Sequence, residues 1–434
     1  MIWLIVGETE VVAAESIVVV GSGGQVYASR MTSNIPDSVA VRARWVLPID
    51  QPPLADGLVT IAGGRIAAVG ENLSGGLPRD LGDVALLPGL VNAHTHLEFS
   101  SLDVPLGEPR TRFSAWIRQV IDYRRQTEAL QSKRQTAVAR GLAESQAAGV
   151  ALLGEIATPG WPAECFAAQA VEAVVFLELL GLAPERQEPL LALAQEHLAQ
   201  QRQHVGLSPH APYTVGPDLL ARLCVLSANR QVPVAMHLAE SLDELELLLS
   251  HSGELVELLQ SLGAWRPDVV PRGIRPLDYL EILSHAHRSL VVHGNFLGPE
   301  ELQFLGDRRD RMSVVYCPRT FAYFQPGKYP LAAMLAAGMR VAVGTDSRAS
   351  NPDLRLLEEL RQIARQHPEI SPEAVLRMGT LAGAEALGLD DRYGSIGVGK
   401  SARLAVVPID AAASDAYEAV LSSTASAAPL ANVA

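Results

Sequence analysis

Between residues 88 and about 385 the chain alternates short apolar runs with longer stretches whose apolar positions recur at helical spacing. The runs at 88–94, 150–156, 172–178, 204–208, 233–237, 289–293, 312–316 and 340–344 read as strands. Helical patterns fill 113–148, 163–170, 186–201, 217–229, 241–261, 299–306, 329–337 and 353–366. Strand followed by helix eight times predicts an α/β fold, a (β/α)8 TIM barrel, and such a barrel carries its active site where the C-terminal ends of the strands meet.

The flanks follow a different pattern. Short strands separated by turns are expected at 41–47, 58–62, 65–69 and 84–87, with Gly63-Gly64 as a tight hairpin turn. Residues 394–408 again read as turn and strand. A small β-sandwich domain built from 39–87 and 388–410 is therefore expected to enclose a barrel of 88–387. Residues 1–38 read as an N-terminal extension, disordered or non-native: they lack the positive start of a signal peptide, and Met31 stands where the domain would begin. The Ala-rich tail 411–434 offers a helix around 411–422 and then little that can pack.

Composition narrows the function. A chain of 434 residues that is 48% apolar can fill both cores. Its net charge of -13, with no basic run, argues against nucleic acid or an anionic membrane as partner. No apolar run reaches the roughly 18 to 20 residues that span a bilayer. Cys165, Cys224 and Cys317 lie far apart without a C-x-x-C spacing, which fits a reducing, cytoplasmic setting and excludes a thiolate zinc site. A metal would have to use His, Asp or Glu. The partner expected is a small-molecule substrate, and a homo-oligomer is allowed.

Candidate chemistry collects at the predicted strand ends. His94 and His96 close the first strand one residue apart, and side chains two positions apart on a strand share a face, so both imidazoles can meet one ion. His237 ends the fifth strand, His293 the sixth, His210 follows the fourth and Asp346 lies just beyond the eighth. His94, His96, His237 and Asp346 form a plausible shell for one divalent metal, zinc first and iron second. Glu240, three residues past His237, stands within reach of a water at that metal and is the expected proton shuttle. Its competing role is to decorate a helix N-terminus with Ser241, Asp243 and Glu244. Asp353 reads as the cap of the last barrel helix, which leaves Asp346 free.

The segments PGLVNAHTH (88–96), SPHAPYTV (208–215), HLAES (237–241), HGNFL (293–297) and GTDSRASN (344–351) resemble the amidohydrolase superfamily, in motif order over roughly 39–408. Within it the chain resembles the aminohydrolases that deaminate heterocyclic bases and nucleosides. The resemblance implies that His94, His96, His237 and Asp346 hold the metal, Glu240 moves protons, His293 and Asp346 orient the attacking water, and His210 contacts substrate. Two-metal members bridge their ions through a carboxylated lysine on strand four; the only lysines here are Lys133, Lys328 and Lys400, so one metal is expected. The resemblance also implies one more strand at the end of the small domain, so the domain is expected to be one strand short or differently closed.

SPHAPYT and HLAES resemble S-adenosylhomocysteine and methylthioadenosine deaminases, but the stretch 317–324 departs from their Asn- and Ser-containing loop. His96-Leu97-Glu98-Phe99-Ser100 is instead similar to the 6-amino-6-deoxyfutalosine deaminases, which gives an adenine nucleoside with a carboxylated aromatic group as the expected substrate. Glu98 and His210 are assigned to it. Its carboxylate calls for an arginine, and of Arg112, Arg319 and Arg348 the assignment is Arg319. Phe99, Phe113, Phe321, Tyr323 and Phe324 are candidates for a stacking wall, whereas Trp116, spaced with Ile117, Val120 and Ile121, reads as core. Other hydrolyses on the same scaffold, releasing chloride or opening a cyclic amide, are the alternative. A non-enzymatic scaffold or binding protein has no chemical need for an intact ligand set with Glu240.

Overall fold

The computed structural model describes residues 38–71, 77–128, 131–167, 171–199, 204–325 and 327–430. The expected N-terminal extension lies outside them up to residue 37.

Five strands come first: β1 (Ser38–Val46), β2 (Leu54–Ala62), β3 (Arg65–Gly70), β4 (Arg79–Asp80) and β5 (Val84–Pro88). Gly63 and Gly64 both take positive φ in the turn between β2 and β3, a conformation that glycine adopts without steric cost. Eight parallel strands follow: β6 (Leu90–Thr95), β7 (Val150–Ala157), β8 (Glu172–Leu179), β9 (His204–Pro209), β10 (Pro233–Leu238), β11 (Arg288–His293), β12 (Met312–Tyr316) and β13 (Arg340–Val343). They pair in sequence order, and every residue of β6 and β7 is buried, as strands covered on both faces must be. Val174 and Phe176 of β8 pack with Ala235, Leu290, Val292 and Ala342 in one cluster, and the alternate residues Val175, Leu177 and Val291 in another that also takes in the surrounding helices.

The first and eighth strands meet through the residues that follow β13. Thr345 donates its backbone N–H to Asn92 Oδ1 (3.1 Å), Asn92 Nδ2 donates to Thr345 Oγ1 (2.8 Å), and Asp346 N–H donates to the His94 carbonyl (3.1 Å). That closure sets Asp346 beside the two histidines of β6.

Two further strands, β14 (Leu404–Pro408) and β15 (Ala428–Pro429), complete a second sheet of order β15-β14-β5-β1-β2-β3, with β4 on β1. Here the tail differs from expectation. Ala428 and Pro429 pair with Val406 and Ala405, supplying the strand that seemed missing. A helix at Ala416–Ser422 is capped by Asp415, which accepts from Glu418 N–H, and Arg361 donates to the carbonyls of Val420 and Ala425. Small side chains such as Ala416, Ala419 and Ala427 are buried, and so few apolar groups leave no periodic signal in the sequence.

Helices at Pro276–Leu283, Pro318–Phe324, Pro372–Met378 and Leu381–Leu387 were not among those expected. The expected helix over 241–261 is two, Leu242–Ser250 and Glu254–Ser261, split where His251 takes a left-handed conformation (φ +55°).

Candidate active site

His94, His96 and His237 bring one ring nitrogen each within 4.8 Å of the others. His96 Nε2 lies 3.4 Å from His237 Nε2, and Asp346 Oδ1 lies 3.6 Å from His94 Nε2 and 3.8 Å from His96 Nε2. His237 Nδ1 is 3.1 Å from the His210 carbonyl, so Nδ1–H donates there and Nε2 keeps its lone pair toward the cluster. Both nitrogens of His94 are buried without a hydrogen-bond partner among the described residues. Burial pushes the His94 imidazole down to about 3, and burial with neighbouring histidines lowers His96 and His237 as well. Neutral imidazoles with orphaned lone pairs beside a carboxylate fit a divalent cation.

The next residues out carry further titratable groups. Glu240 Oε1 lies 3.3 Å from His293 Nε2. Burial, with Asp346 and Glu244 nearby, raises the Glu240 carboxyl well above the carboxylate range. The helix-terminus role belongs to its neighbour: Ser241 caps Leu242–Ser250 by accepting from Glu244 N–H. The Glu244 carboxylate accepts in turn from the N–H groups of Ala239 (2.8 Å) and Glu240 (2.9 Å), and Asn295 Nδ2 donates to the Glu240 carbonyl (2.8 Å). Ser350 Oγ donates to Asp346 Oδ2 and Tyr329 Oη to the His293 carbonyl. Ala239, His293 and Asp346 all have positive φ, 53°, 69° and 56°. Non-glycine residues hold such conformations where surrounding bonds over-determine them, and functional sites are where they cluster.

A cavity of about 290 Å³ opens over this cluster, bordered by His96, His210, His237, Glu240, His293 and Asp346. His210 Nδ1 is 2.8 Å from Thr214 Oγ1. Phe99 and Phe113 line the wall as expected, while Phe321, Tyr323 and Phe324 do not. Trp116 packs against the core as expected and lines the cavity too, with its Nε1–H donating to the Ala349 carbonyl.

Two assigned substrate contacts are placed elsewhere. Glu98 is outside the lining and binds Arg124, which reaches it at 2.7 Å, and Thr158. Arg319 is also outside it, paired with Glu359 at 2.6 Å and Asp353 at 2.7 Å. Asp353 therefore pairs with Arg319 and accepts from Arg355 N–H instead of capping by its side chain the helix that starts at Leu356. Arg348 is paired with Glu144, and Arg112 is exposed and paired with Glu254. Arg319→Met is expected to destabilise the fold by about 3 kcal/mol, because it leaves Glu359 buried and unpaired. Denaturant titration checks this; an unchanged midpoint with a raised KM would return Arg319 to the substrate.

The cations that do line the cavity are Arg124 and Arg186. Arg124 continues the stripe Trp116, Ile117, Val120, Ile121 at helical spacing on Phe113–Glu128, and that register was the signal for it. Arg186, in the turn Pro184–Arg186 after β8, carries no comparable signal, and its guanidinium has no partner among the described residues.

Residues 85–431 match the Amidohydrolase family. The chain is 30% identical over 378 residues to a 5-methylthioadenosine/S-adenosylhomocysteine deaminase of Syntrophobacter fumaroxidans, covering 81% of this chain and 80% of that one. Among solved structures, aminofutalosine deaminase of Helicobacter pylori in complex with methylthio-coformycin is 26% identical, with a TM-score of 0.77, 88% of this chain and 95% of that one covered. An adenosine deaminase of Xanthomonas campestris with bound zinc is 25% identical, with a TM-score of 0.70 and 89% of each chain covered.

Proposed function

Because the chain belongs to the amidohydrolase family and is a hydrolase acting on C–N bonds, we propose that it deaminates an adenine-type nucleoside, 6-amino-6-deoxyfutalosine being the best-fitting substrate. The observation that carries this reading is the buried Glu240–His293 pair set at the edge of a cavity floored by three neutral imidazoles and Asp346.

His94, His96, His237 and Asp346 would hold the metal, proposed as zinc by analogy with the zinc-bound relative. Once bound, such an ion lowers the pKa of a coordinated water to about 7 and so supplies a nucleophile at neutral pH. Glu240 accepts the proton of the attacking water and delivers it to ring N1 as the C6–O bond forms. His293 and Asp346 hold the incoming oxygen in line with C6. Asp346 then passes the remaining proton toward the amino group, the C6–N bond breaks, and ammonia leaves a 6-oxo base. The reaction consumes one water and needs no redox partner. His210 meets the ring from the neighbouring strand end.

Phe113, Trp116, Leu255 and Leu258 give an apolar wall suited to an aromatic side group, and Arg186 offers an unpaired guanidinium to a carboxylate. A second reading, deamination of S-adenosylhomocysteine or methylthioadenosine, is favoured by the relative from Syntrophobacter fumaroxidans. Arg186→Ala is expected to raise KM for aminodeoxyfutalosine about 10-fold more than for methylthioadenosine, which has no carboxylate. Ammonia release from these three nucleosides tests the proposal. Metal-loaded protein that frees no ammonia from any of them, yet hydrolyses a ring C–Cl bond or a cyclic amide, would overturn it.

A further inference from the structure

Glu240 sits on a short connection whose backbone is held from two sides. Ser241 caps the helix Leu242–Ser250, and Glu244 is the third residue of that helix. In a capping box, a glutamate there turns back to the N–H of the cap residue. The Glu244 carboxylate reaches further: Oε1 accepts from Ala239 N–H at 2.8 Å and Oε2 from Glu240 N–H at 2.9 Å. It is fully buried, a costly place for a carboxyl group, and N–H groups satisfy it where a cation would otherwise be needed.

From the other side, the loop that follows His293 takes the carbonyls. Gly294 N–H donates to Leu238 (3.1 Å), Phe296 N–H to Ala239 (3.1 Å) and Asn295 Nδ2 to Glu240 (2.8 Å). The conformation so held is one that alanine does not choose by itself: Ala239 has φ +53°, where an L-residue brings its Cβ against the following carbonyl. The segment that carries Glu240 is thereby fastened to the segment that carries His293, and the 3.3 Å between Glu240 Oε1 and His293 Nε2 is set by this backbone. Three of the five bonds come from side chains, two from Glu244 and one from Asn295. Those are the ones a substitution can remove while the backbone donors stay.

We infer that Glu244 and Asn295 are positioning residues for the proton shuttle: together they lock the left-handed turn at Ala239 and so aim the Glu240 carboxyl at His293 and the histidine cluster. Neither touches the reacting atoms. A group that must meet a proton donor and then an acceptor at hydrogen-bond distance loses rate steeply when its backbone drifts. The inference rests on the reading of Glu240 as the shuttle of a deaminase.

The test is a pair of double-mutant cycles read by ammonia release. Metal-loaded wild type, Glu244→Gln, Asn295→Ala, Glu240→Gln and the two double variants that add Glu240→Gln are assayed on whichever of aminodeoxyfutalosine, methylthioadenosine and adenosine wild type turns over fastest. Metal content and melting temperature are measured on every sample. Glu244→Gln sets an amide NH2 against a backbone N–H and is expected to lower kcat about 30-fold, Asn295→Ala about 5-fold, each with KM and metal content unchanged. In the Glu240→Gln background each should cost less than about 2-fold, because a residue that acts through Glu240 has nothing left to position. An unchanged kcat, losses that multiply in the double variants, or a fall in kcat that tracks lost metal would overturn the inference and leave the deaminase reading standing. If Glu244→Gln does not fold, the Asn295→Ala cycle decides by the same criterion. No ammonia from any of the three nucleosides, with metal bound to wild type, would overturn both.

Discussion

Glu240→Gln is expected to lower kcat about 10³-fold while the protein keeps its full metal content and its affinity for substrate, a loss within the range that general acid–base groups supply. The substitution preserves volume and removes only the ability to take up a proton. The backbone at this point is tied down by groups other than the Glu240 side chain: Glu244 accepts from the N–H of residues 239 and 240, and Asn295 donates to the carbonyl of residue 240. The glutamine should therefore sit where the glutamate sat. Without a cation, burial, with Asp346 and Glu244 nearby, raises the Glu240 carboxyl well above the usual range. A divalent charge nearby opposes that effect, bringing the group toward a pKa at which it can both take and return a proton. Rates measured beside elemental analysis of the same samples decide the matter. A kcat within 10-fold of wild type would remove Glu240 from the proton path, and a loss of metal would make it a ligand.

The parts legible in the sequence share a cause. His94, His237 and His293 lie at the ends of apolar strand runs, and His96 and Asp346 follow closely after β6 and β13, so each is placed by the strand that precedes it. Strand order then follows from chain order, because parallel strands joined by helices pair consecutively. What the sequence hid depends on contacts across long separations. Arg319 is assigned from the sequence to a substrate carboxylate, yet its partners Asp353 and Glu359 are 34 and 40 residues away. Glu98 sits among the site motifs, but Arg124, one face of a helix later, turns it aside. Arg186 and Glu178 enter the cavity from β8 and the turn that follows it, a segment in which no motif was found. The closing strand Ala428–Pro429 has too few residues for any period to register.

Removing the metal should abolish turnover and restore it on adding about one equivalent of zinc per chain, and the melting temperature should fall by a few degrees in between. The second effect follows from linkage: a ligand that binds only the folded state at 100 times its Kd adds about 2.7 kcal/mol. The metal-free fold bears a cost that the ion would relieve, since the two His94 nitrogens are buried without partners and each such group costs about 1–3 kcal/mol. His94→Leu separates function from stability on this point. It should bind no metal and turn over no substrate, yet melt at or above the temperature of metal-free wild type, because it exchanges orphaned polar atoms for apolar ones at a fully buried position. Scanning calorimetry of loaded, stripped and His94→Leu protein gives the three melting temperatures. If His94→Leu melted well below stripped wild type, the imidazole would be stabilising the fold through contacts of its own. The argument that this residue is held in place for a metal would then fail.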